Sequence, residues 1–488
     1  MRLTKYIKLE LLVLLASSLW LIILFLFNPH FIELTVTLET WFPYKGLIYY
    51  KDFAAFHFPL GRLILYPIHL LTNWNLELDP LIGLFLGLIN LALIYTFTKK
   101  ILSSIGISFC LIFFSLFFWY AATGILYFHE ILIGVELTIL SLNILRQIFY
   151  KHTSKPINLF IGFLIALTLL TGQIAAITLV VIFLSQVLIN IFLKKTFINN
   201  LLLILGSLLP IITASLYFYL NGALWHFIEY NITYYILYAG YQKDTLDKLP
   251  KELLIYYLPT FLYIITFPIC IIKKVKLGLQ DYFLLTLSLS TVPFILFSLY
   301  HPHHLNYALP IQALCLGFAY NLLTKFKNSG KIFLLIIIIT ITYFSKTIIL
   351  DWHFDRWNYP PDFKIKNDIY PYSKDPMNSA INWILSNTNT DSKIMVLGDS
   401  LFYLRANRLP ASRPSKGIPY AWNPFERVKL EITGNPADYW IIERQFYEKL
   451  NIVYRQKKMQ IFIDELLLNN YKLIIKYDSW EIWEKLKA

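Results

Sequence analysis

Carboxylates and imidazoles are sparse in this chain, so the places where they meet are the first to consider for chemistry. In the segment Lys51-Asp-Phe-Ala-Ala-Phe-His-Phe-Pro-Leu60 an acid, Asp52, follows a lysine and stands five residues before His57. A second acid, Glu130, adjoins His129, and Glu136 lies six residues further along an apolar run. These are the side chains that accept and return protons near neutral pH. Each also has a structural use. Asp52 is of the type that caps a short helix, and Glu130 at a helix start is favoured by the helix dipole. An ionisable group as deep as Glu136 is costly and by default functional, although it also serves to bind a neighbouring helix. His301, His303 and His304, taken with His57 and His129, raise the question of a metal. Their spacing matches no metal-ligand motif, and no metal or other cofactor is expected.

The elements that must hold these groups belong to a membrane protein. The chain has 488 residues, 57% hydrophobic and 15% charged, with a mean hydropathy of +0.56, which excludes an ordinary soluble enzyme of this length. Its net charge of +13 would suggest nucleic acid in a soluble chain, but here it has to be read against the bilayer. The apolar run from Leu9 to Phe27 is longer than the roughly 7 to 15 residues of a cleaved signal core, so it reads as an uncleaved first span. Runs of about 20 residues, enough to cross a bilayer, follow near 78–98, 101–119, 131–148, 157–171, 174–193, 199–220, 253–272, 281–299, 304–324 and 331–350, giving eleven spans. The stretch 157–193 is too long for one helix and is broken at Thr171, Gly172 and Gln173. Cys110, Cys270 and Cys315 all fall inside apolar runs, so no disulfide framework serves the polar regions.

Lys and Arg resist translocation, and their bias sets the orientation. With the N-terminus inside, the cytoplasmic connections hold sixteen Lys/Arg and the opposite loops six. Parity is kept through the eleven crossings, which places residues 351–488 outside. That tail of 138 residues, with 20 Lys/Arg and 17 Asp/Glu, reads as a small folded domain. Asn378 to Leu385 has helical character, Lys393-Ile-Met-Val-Leu-Gly398 reads as a buried strand, and Tyr471-Lys-Leu-Ile-Ile-Lys-Tyr477 with the following Trp-Glu-Ile-Trp reads as paired strands. The expected fold is an all-α polytopic bundle over residues 1–350 with a small extracytoplasmic α/β or α+β domain over 351–488. A hinge is expected in the Pro-bearing stretch from Asp351 to Pro376.

On this topology the outer side collects Glu33, Glu39, Asp52, Glu77, Asp79, Glu130, Glu229, Asp244, Asp247 and Glu252. The first outer loop, residues 28–80, is 53 residues long, far more than a helix connection needs. It carries aromatic-rich pieces expected to lie along the interface, and the stretch 60–71, with Arg62 and His69, reads as a juxtamembrane helix flooring a cavity.

Within that loop Tyr50-Lys-Asp-Phe-Ala-Ala-Phe-His-Phe-Pro-Leu60 resembles the first exterior loop of the GT-C class of polytopic glycosyltransferases, including lipid A aminoarabinose transferases and protein O-mannosyltransferases. The family pattern is an aromatic-Arg-Asp-Phe stretch followed by His and Pro-Leu. Here Lys51 stands in the Arg place and Phe58 in place of a first Pro. Other features follow in order. Glu130 sits where the family has a second acid, and His304, Tyr307 and Pro310 match a basic residue, Tyr and Pro before the tenth span. The tail from Lys393 to Pro414 resembles a family exterior domain. The family's Thr-Lys pair between the fifth and sixth spans is here Thr171, Gly172, Gln173, so that lysine is absent.

The resemblance implies transfer of a sugar from a polyprenyl-phosphate donor to an acceptor hydroxyl of a lipid, glycan or protein at the extracytoplasmic face, in cell-envelope glycosylation. An acceptor hydroxyl is a poor nucleophile, and a carboxylate in hydrogen-bond reach must take its proton; Asp52 is the candidate, with Glu130 as the second acid. The departing phosphate needs positive charge or hydrogen-bond donors rather than a general acid, which Lys51, Arg62, His304 and Arg413 would supply. His57, His129, Glu136 and Tyr307 are expected to line the same cavity. Attack opposite the phosphate would invert the anomeric centre, by analogy with single-displacement sugar chemistry. The alternative is a transporter or flippase of a lipid-linked precursor. Such proteins tend to show paired halves and midplane charges, whereas this chain has no internal repeat and puts its polar residues on one face.

Overall fold

The computed structural model describes residues 8–27, 31–32, 34–55, 58–74, 78–122, 125–126, 128–195, 197–233, 256–292, 306–326, 376–413, 425–444, 447 and 457–486. The chain divides into two compact units. The first comprises Met1–Ile32, Glu77–Thr213 and Gln242–Lys364; the second comprises Glu33–Leu76, Ala214–Tyr241 and Ile365–Ala488.

The first unit is helical, and the helices fall where the apolar runs lie. Leu9–Phe27, Leu78–Thr98, Ser104–Ala122, Phe128–Tyr150, Lys155–Thr171, Ala176–Phe192, Phe197–Leu220 (up to Thr213), Leu258–Ile272, Leu279–Ser290 and Leu309–Leu323 occupy ten of the expected stretches. The eleventh, 331–350, lies outside the described residues, as does the hinge expected before Pro376. Five of the helices, Leu9–Leu26, Leu81–Thr98, Glu130–Tyr150, Gln173–Phe192 and Phe197–Leu220, are long and apolar enough to cross a membrane, as a multi-pass membrane protein requires. The break at Thr171 is real. Lys155–Thr171 stops there, Gly172 takes an extended backbone, and a turn of 3₁₀ helix over Gln173–Ala175 starts the next segment.

Burial sorts these helices. Leu309–Leu323 is buried on every side except at Asn321 and packs on Ser104–Ala122 and Leu258–Ile272, the behaviour of a helix apolar all round. Phe197–Leu220 instead turns Phe197, Leu209, Ile212 and Leu216 outward, which suits a lipid-facing position. It crosses Lys155–Thr171 at paired glycines: a Cβ on Gly162 would run into the Leu203 carbonyl, and one on Gly206 into that of Leu159. Small residues let helix backbones meet this closely in a bilayer, where no hydrophobic force distinguishes partner from lipid.

Polar residues reinforce the same bundle. Gln147 and Gln186 exchange amide hydrogen bonds of 3.0 and 2.9 Å. The Asn158 Oδ1 accepts from Gln186 Nε2 at 3.0 Å and from Asn190 Nδ2 at 2.8 Å, and Asn190 also donates to Asn200 Oδ1 at 2.8 Å. Four helices are thus tied by carboxamides that hydrocarbon could not satisfy.

In the second unit the tail forms a four-stranded mixed sheet that contains the expected buried strand and the expected strand pair. Strands β3 (Ile394–Leu397), β4 (Tyr439–Glu443), β5 (Tyr471–Tyr477) and β6 (Trp480–Lys485) lie in the order β3-β4-β6-β5; β1 (Phe31–Ile32) and β2 (Ile125–Leu126) are a separate parallel pair in the first unit. β3 runs parallel to β4, and β6 is antiparallel to both β4 and β5. The β5–β6 turn is made by Asp478 at φ 50°. The helices Phe425–Gly434 and Lys457–Asn470 bury Val428, Ile432, Met459, Ile463 and Leu467 in a core with Trp440 and Ile442. Helix Pro376–Asn387 precedes β3. Glu33–Leu76, most of the long loop 28–80, belongs to this unit: helix Leu34–Tyr44 packs on helix Leu401–Ala406, with Phe42 edge-on to Tyr403 at 5.8 Å. The stretch 60–71 forms two short helices, Leu60–Leu63 and Tyr66–Leu71.

The carboxamide chain makes a testable demand. Asn158→Leu would leave amides of Gln186 and Asn190 without their shared acceptor, at about 1–3 kcal/mol per orphaned group. Detergent-solubilised N158L is expected to melt several degrees below wild type, by an intrinsic-fluorescence thermal ramp; Asn143→Leu, whose amide bonds only its own helix, serves as the control.

Candidate functional site

The segment holding Asp52 is built from aromatic residues that cannot stay in water. Tyr49, Tyr50, Phe53, Ala54 and Ala55 are all essentially inaccessible, whereas Lys51 is exposed and Asp52 partly buried. Phe53 packs on Tyr49 at 4.8 Å and on Phe42 at 5.0 Å. The Tyr49 hydroxyl donates to the Glu39 carbonyl, and burial pushes that phenol far above its usual range. Two polar residues therefore emerge from a turn whose other members are buried. The turn is closed twice by one pair: the Asp52 N–H donates to Ile48 O at 2.9 Å, and Asp52 Oδ2 accepts from the Ile48 N–H at 2.7 Å. Asp52 thus does cap backbone, but with one oxygen. The other makes no hydrogen bond to a described residue.

The tail supplies the surroundings of this turn within the same unit. The Ala54 N–H donates to the Arg413 carbonyl at 3.0 Å. The Arg413 Nη1 lies 3.0 Å from His226 Nδ1 and 3.6 Å from Glu431. Arg427 is paired with Glu229 and holds Glu431 at 3.2 Å, and His226 faces Glu229 at 3.7 Å. Lys51 Nζ donates to the Asn221 carbonyl at 3.1 Å. Three stretches of chain therefore bring Lys51, His226, Arg413 and Arg427 together with two carboxylates. Partial burial first, and then Arg413 and Arg427, hold the His226 imidazole below its ordinary value, so at neutral pH its Nδ1 is free to accept from Arg413.

The remaining expected residues take other places. Arg62 is buried with Glu39, Nε to Oε2 at 3.1 Å and side-chain exposures of 1% and 4%. Its guanidinium thus balances a buried acid and joins the helices Leu34–Tyr44 and Leu60–Leu63, next to a Thr40–His69 hydrogen bond of 2.7 Å. In the first unit Glu130 is buried in the first turn of Phe128–Tyr150. Glu136 accepts from the Thr171 hydroxyl at 3.2 Å, so the helix break found in place of the Thr-Lys pair meets an acid. Tyr307 is buried, and its hydroxyl donates to Thr291 O at 2.8 Å. His57, His304 and the side chain of His129 lie outside the described residues. Among the described residues no three His, Cys, Asp or Glu side chains converge as metal ligands would.

His226, Arg427 and Glu431 were not singled out in the sequence. Only short-range signals mark them: His226 and Glu229 stand at i,i+3, and Arg427 and Glu431 at i,i+4.

No protein-family model matches the chain, and no curated protein matches it in sequence. The fold is nevertheless that of the GT-C glycosyltransferases. ArnT from Cupriavidus metallidurans, solved with undecaprenyl phosphate, superposes with a TM-score of 0.54 at 9% identity over 98% of both chains. The oligosaccharyltransferase of Archaeoglobus fulgidus superposes in its apo form with a TM-score of 0.56 at 10% identity, over 96% of this chain and 73% of that one.

Two consequences can be measured. Removing one member of a buried ion pair strands the other charge, at about 3–5 kcal/mol; Glu39→Ala is expected to be strongly destabilised in a denaturation assay, and the double variant Glu39→Leu/Arg62→Leu to recover most of the loss. A histidine held below its ordinary value of about 6.5 binds its proton more weakly folded than unfolded. Stability is then fully present above that pH and falls as pH drops below it, until the folded ring is itself protonated. Melting temperature should decline below about pH 6.5, and His226→Gln should flatten that part of the profile.

Proposed function

We propose that this protein is a glycosyltransferase that moves a sugar from a polyprenyl-phosphate donor to an acceptor hydroxyl at the extracytoplasmic face, with inversion. The observation that carries the reading is the turn at Ile48–Asp52, which fixes by one oxygen a carboxylate whose other oxygen makes no hydrogen bond to a described residue, beside an exposed lysine. The GT-C fold agrees with it, as do the lipid phosphates in related structures: undecaprenyl phosphate in ArnT and dolichol phosphate in the archaeal oligosaccharyltransferase AglB. The Lys/Arg bias of the connections would put this unit outside.

In this reading that other oxygen of Asp52 accepts the proton of the acceptor hydroxyl while the hydroxyl oxygen bonds to the anomeric carbon. The bond from that carbon to the phosphate oxygen breaks, and the phosphate leaves with the electron pair. No acid need protonate it, because it is already a weak base; positive charge suffices. Lys51, next to Asp52 in the chain, and Arg413, whose carbonyl accepts from the Ala54 N–H at 3.0 Å, would supply that charge. Neutral His226 would accept from the Arg413 guanidinium at 3.0 Å, and Arg427 with Glu229 and Glu431 would fix the frame around it. The prenyl chain would lie among the apolar helices, which accounts for an enzyme built mostly of membrane spans. The acceptor is a lipid, glycan or protein hydroxyl.

Purified protein given a polyprenyl-phosphate sugar and acceptor should release polyprenyl phosphate, and Asp52→Asn should cut that release by about 100-fold or more with expression and melting temperature unchanged. Full turnover by D52N would remove Asp52 from the mechanism.

A further inference from the structure

Tyr50 has a backbone that a tyrosine rarely adopts. Its φ is 64°, in the left-handed region where the side chain crowds its own carbonyl, so that the conformation persists only where the surroundings over-determine it. Here the surroundings are visible. The ring is completely buried, edge-on to Phe218 at 5.5 Å and to Phe227 at 5.6 Å, and stacked on Tyr230 at 6.0 Å. Phe218 and Phe227 are themselves stacked at 4.5 Å, and Phe58 closes on Phe227 at 5.4 Å, so the box has its own rigidity. Strained residues of this kind gather at sites where geometry is fixed for a purpose, and the next residues in the chain are Lys51 and Asp52.

We propose that Tyr50 is a positioning residue for the transfer: its boxed ring pins the left-handed turn that presents Asp52 and Lys51. This rests on the reading of Asp52 as the base. The inference follows from the order of forces. Without the box, residue 50 relaxes to negative φ, and the chain direction at Lys51 changes. The two Ile48–Asp52 hydrogen bonds then lose their register, and the carboxylate and ammonium are no longer aimed together. The ring does this work, so its hydroxyl is dispensable. The effect falls on the chemical step rather than on donor binding, because the prenyl chain and phosphate are held by other groups as well.

The test compares Tyr50→Phe with Tyr50→Ala on purified, monodisperse protein, measuring kcat and the donor KM for polyprenyl-phosphate sugar. Y50F is expected to keep both constants. Y50A is expected to lose about 100-fold in kcat, the order expected of a misplaced reacting group, with KM little changed. Wild-type kcat in folded Y50A, or an equal loss in Y50F, would overturn the proposal. If Y50A does not fold, Phe227→Leu and Phe218→Leu loosen the same box with less volume lost; reduced kcat at constant KM supports the proposal, and unchanged kcat in both overturns it. Absence of turnover by wild type would instead refute the transferase reading itself, so the two failures are distinct.

Discussion

The arrangement depends on the burial of the aromatic residues around position 50. Tyr49, Tyr50 and Phe53 are each essentially removed from water, while between them Lys51 stays exposed and Asp52 half-buried. The alternative, a charged pair sunk among rings, carries a desolvation cost of several kcal/mol per ion. The hydrophobic effect thus does more than hold the loop on the tail. It selects which side chains of the turn are displayed, and hydrogen bonds between Ile48 and Asp52 then fix how they are displayed.

A second constraint sets where ionic chemistry can sit at all. Many polar contacts of the apolar helices are neutral amide pairs, such as Gln147–Gln186 and Asn158–Asn190, which can be satisfied within hydrocarbon at modest cost, and the acids Glu136 and Asp281 are met there by the Thr171 and Tyr263 hydroxyls. The mixed cluster of Arg413, Arg427, Glu229, Glu431 and His226 lies instead in the second unit, with side chains that keep a quarter or less of their exposure in most cases. Partial burial of that degree strengthens the fields there without demanding that every charge be neutralised.

Much of this was legible in the sequence for identifiable reasons. Spans, the break at Thr171 and the tail's strands follow from hydrophobic period and breaker residues, which are local properties. Asp52 stands out as a candidate because an unusually long loop concentrates polar residues between apolar pieces. The partners of these residues do not, since they are set by chain closure. Arg413 meets His226 across 187 positions, and Arg62 pairs with Glu39, a contact that no spacing rule announces. Nor does a linear reading of the chain display that the first loop packs with residues of the tail, since Phe42 against Tyr403 is a tertiary fact. In the sequence Tyr50 is only the aromatic member of a motif; its left-handed backbone is a property of the folded turn.

The central claim is that sugar is transferred from a lipid phosphate and not carried across intact. It is tested most directly by reconstituting the wild-type chain in vesicles with a polyprenyl-phosphate sugar labelled at its anomeric carbon, supplying acceptor, and following both lipid and sugar. The account predicts that free polyprenyl phosphate and glycosylated acceptor appear in equal amounts, with the label in the inverted configuration. Movement of the intact lipid-linked sugar between leaflets, with no phosphate freed and no acceptor labelled, would contradict it.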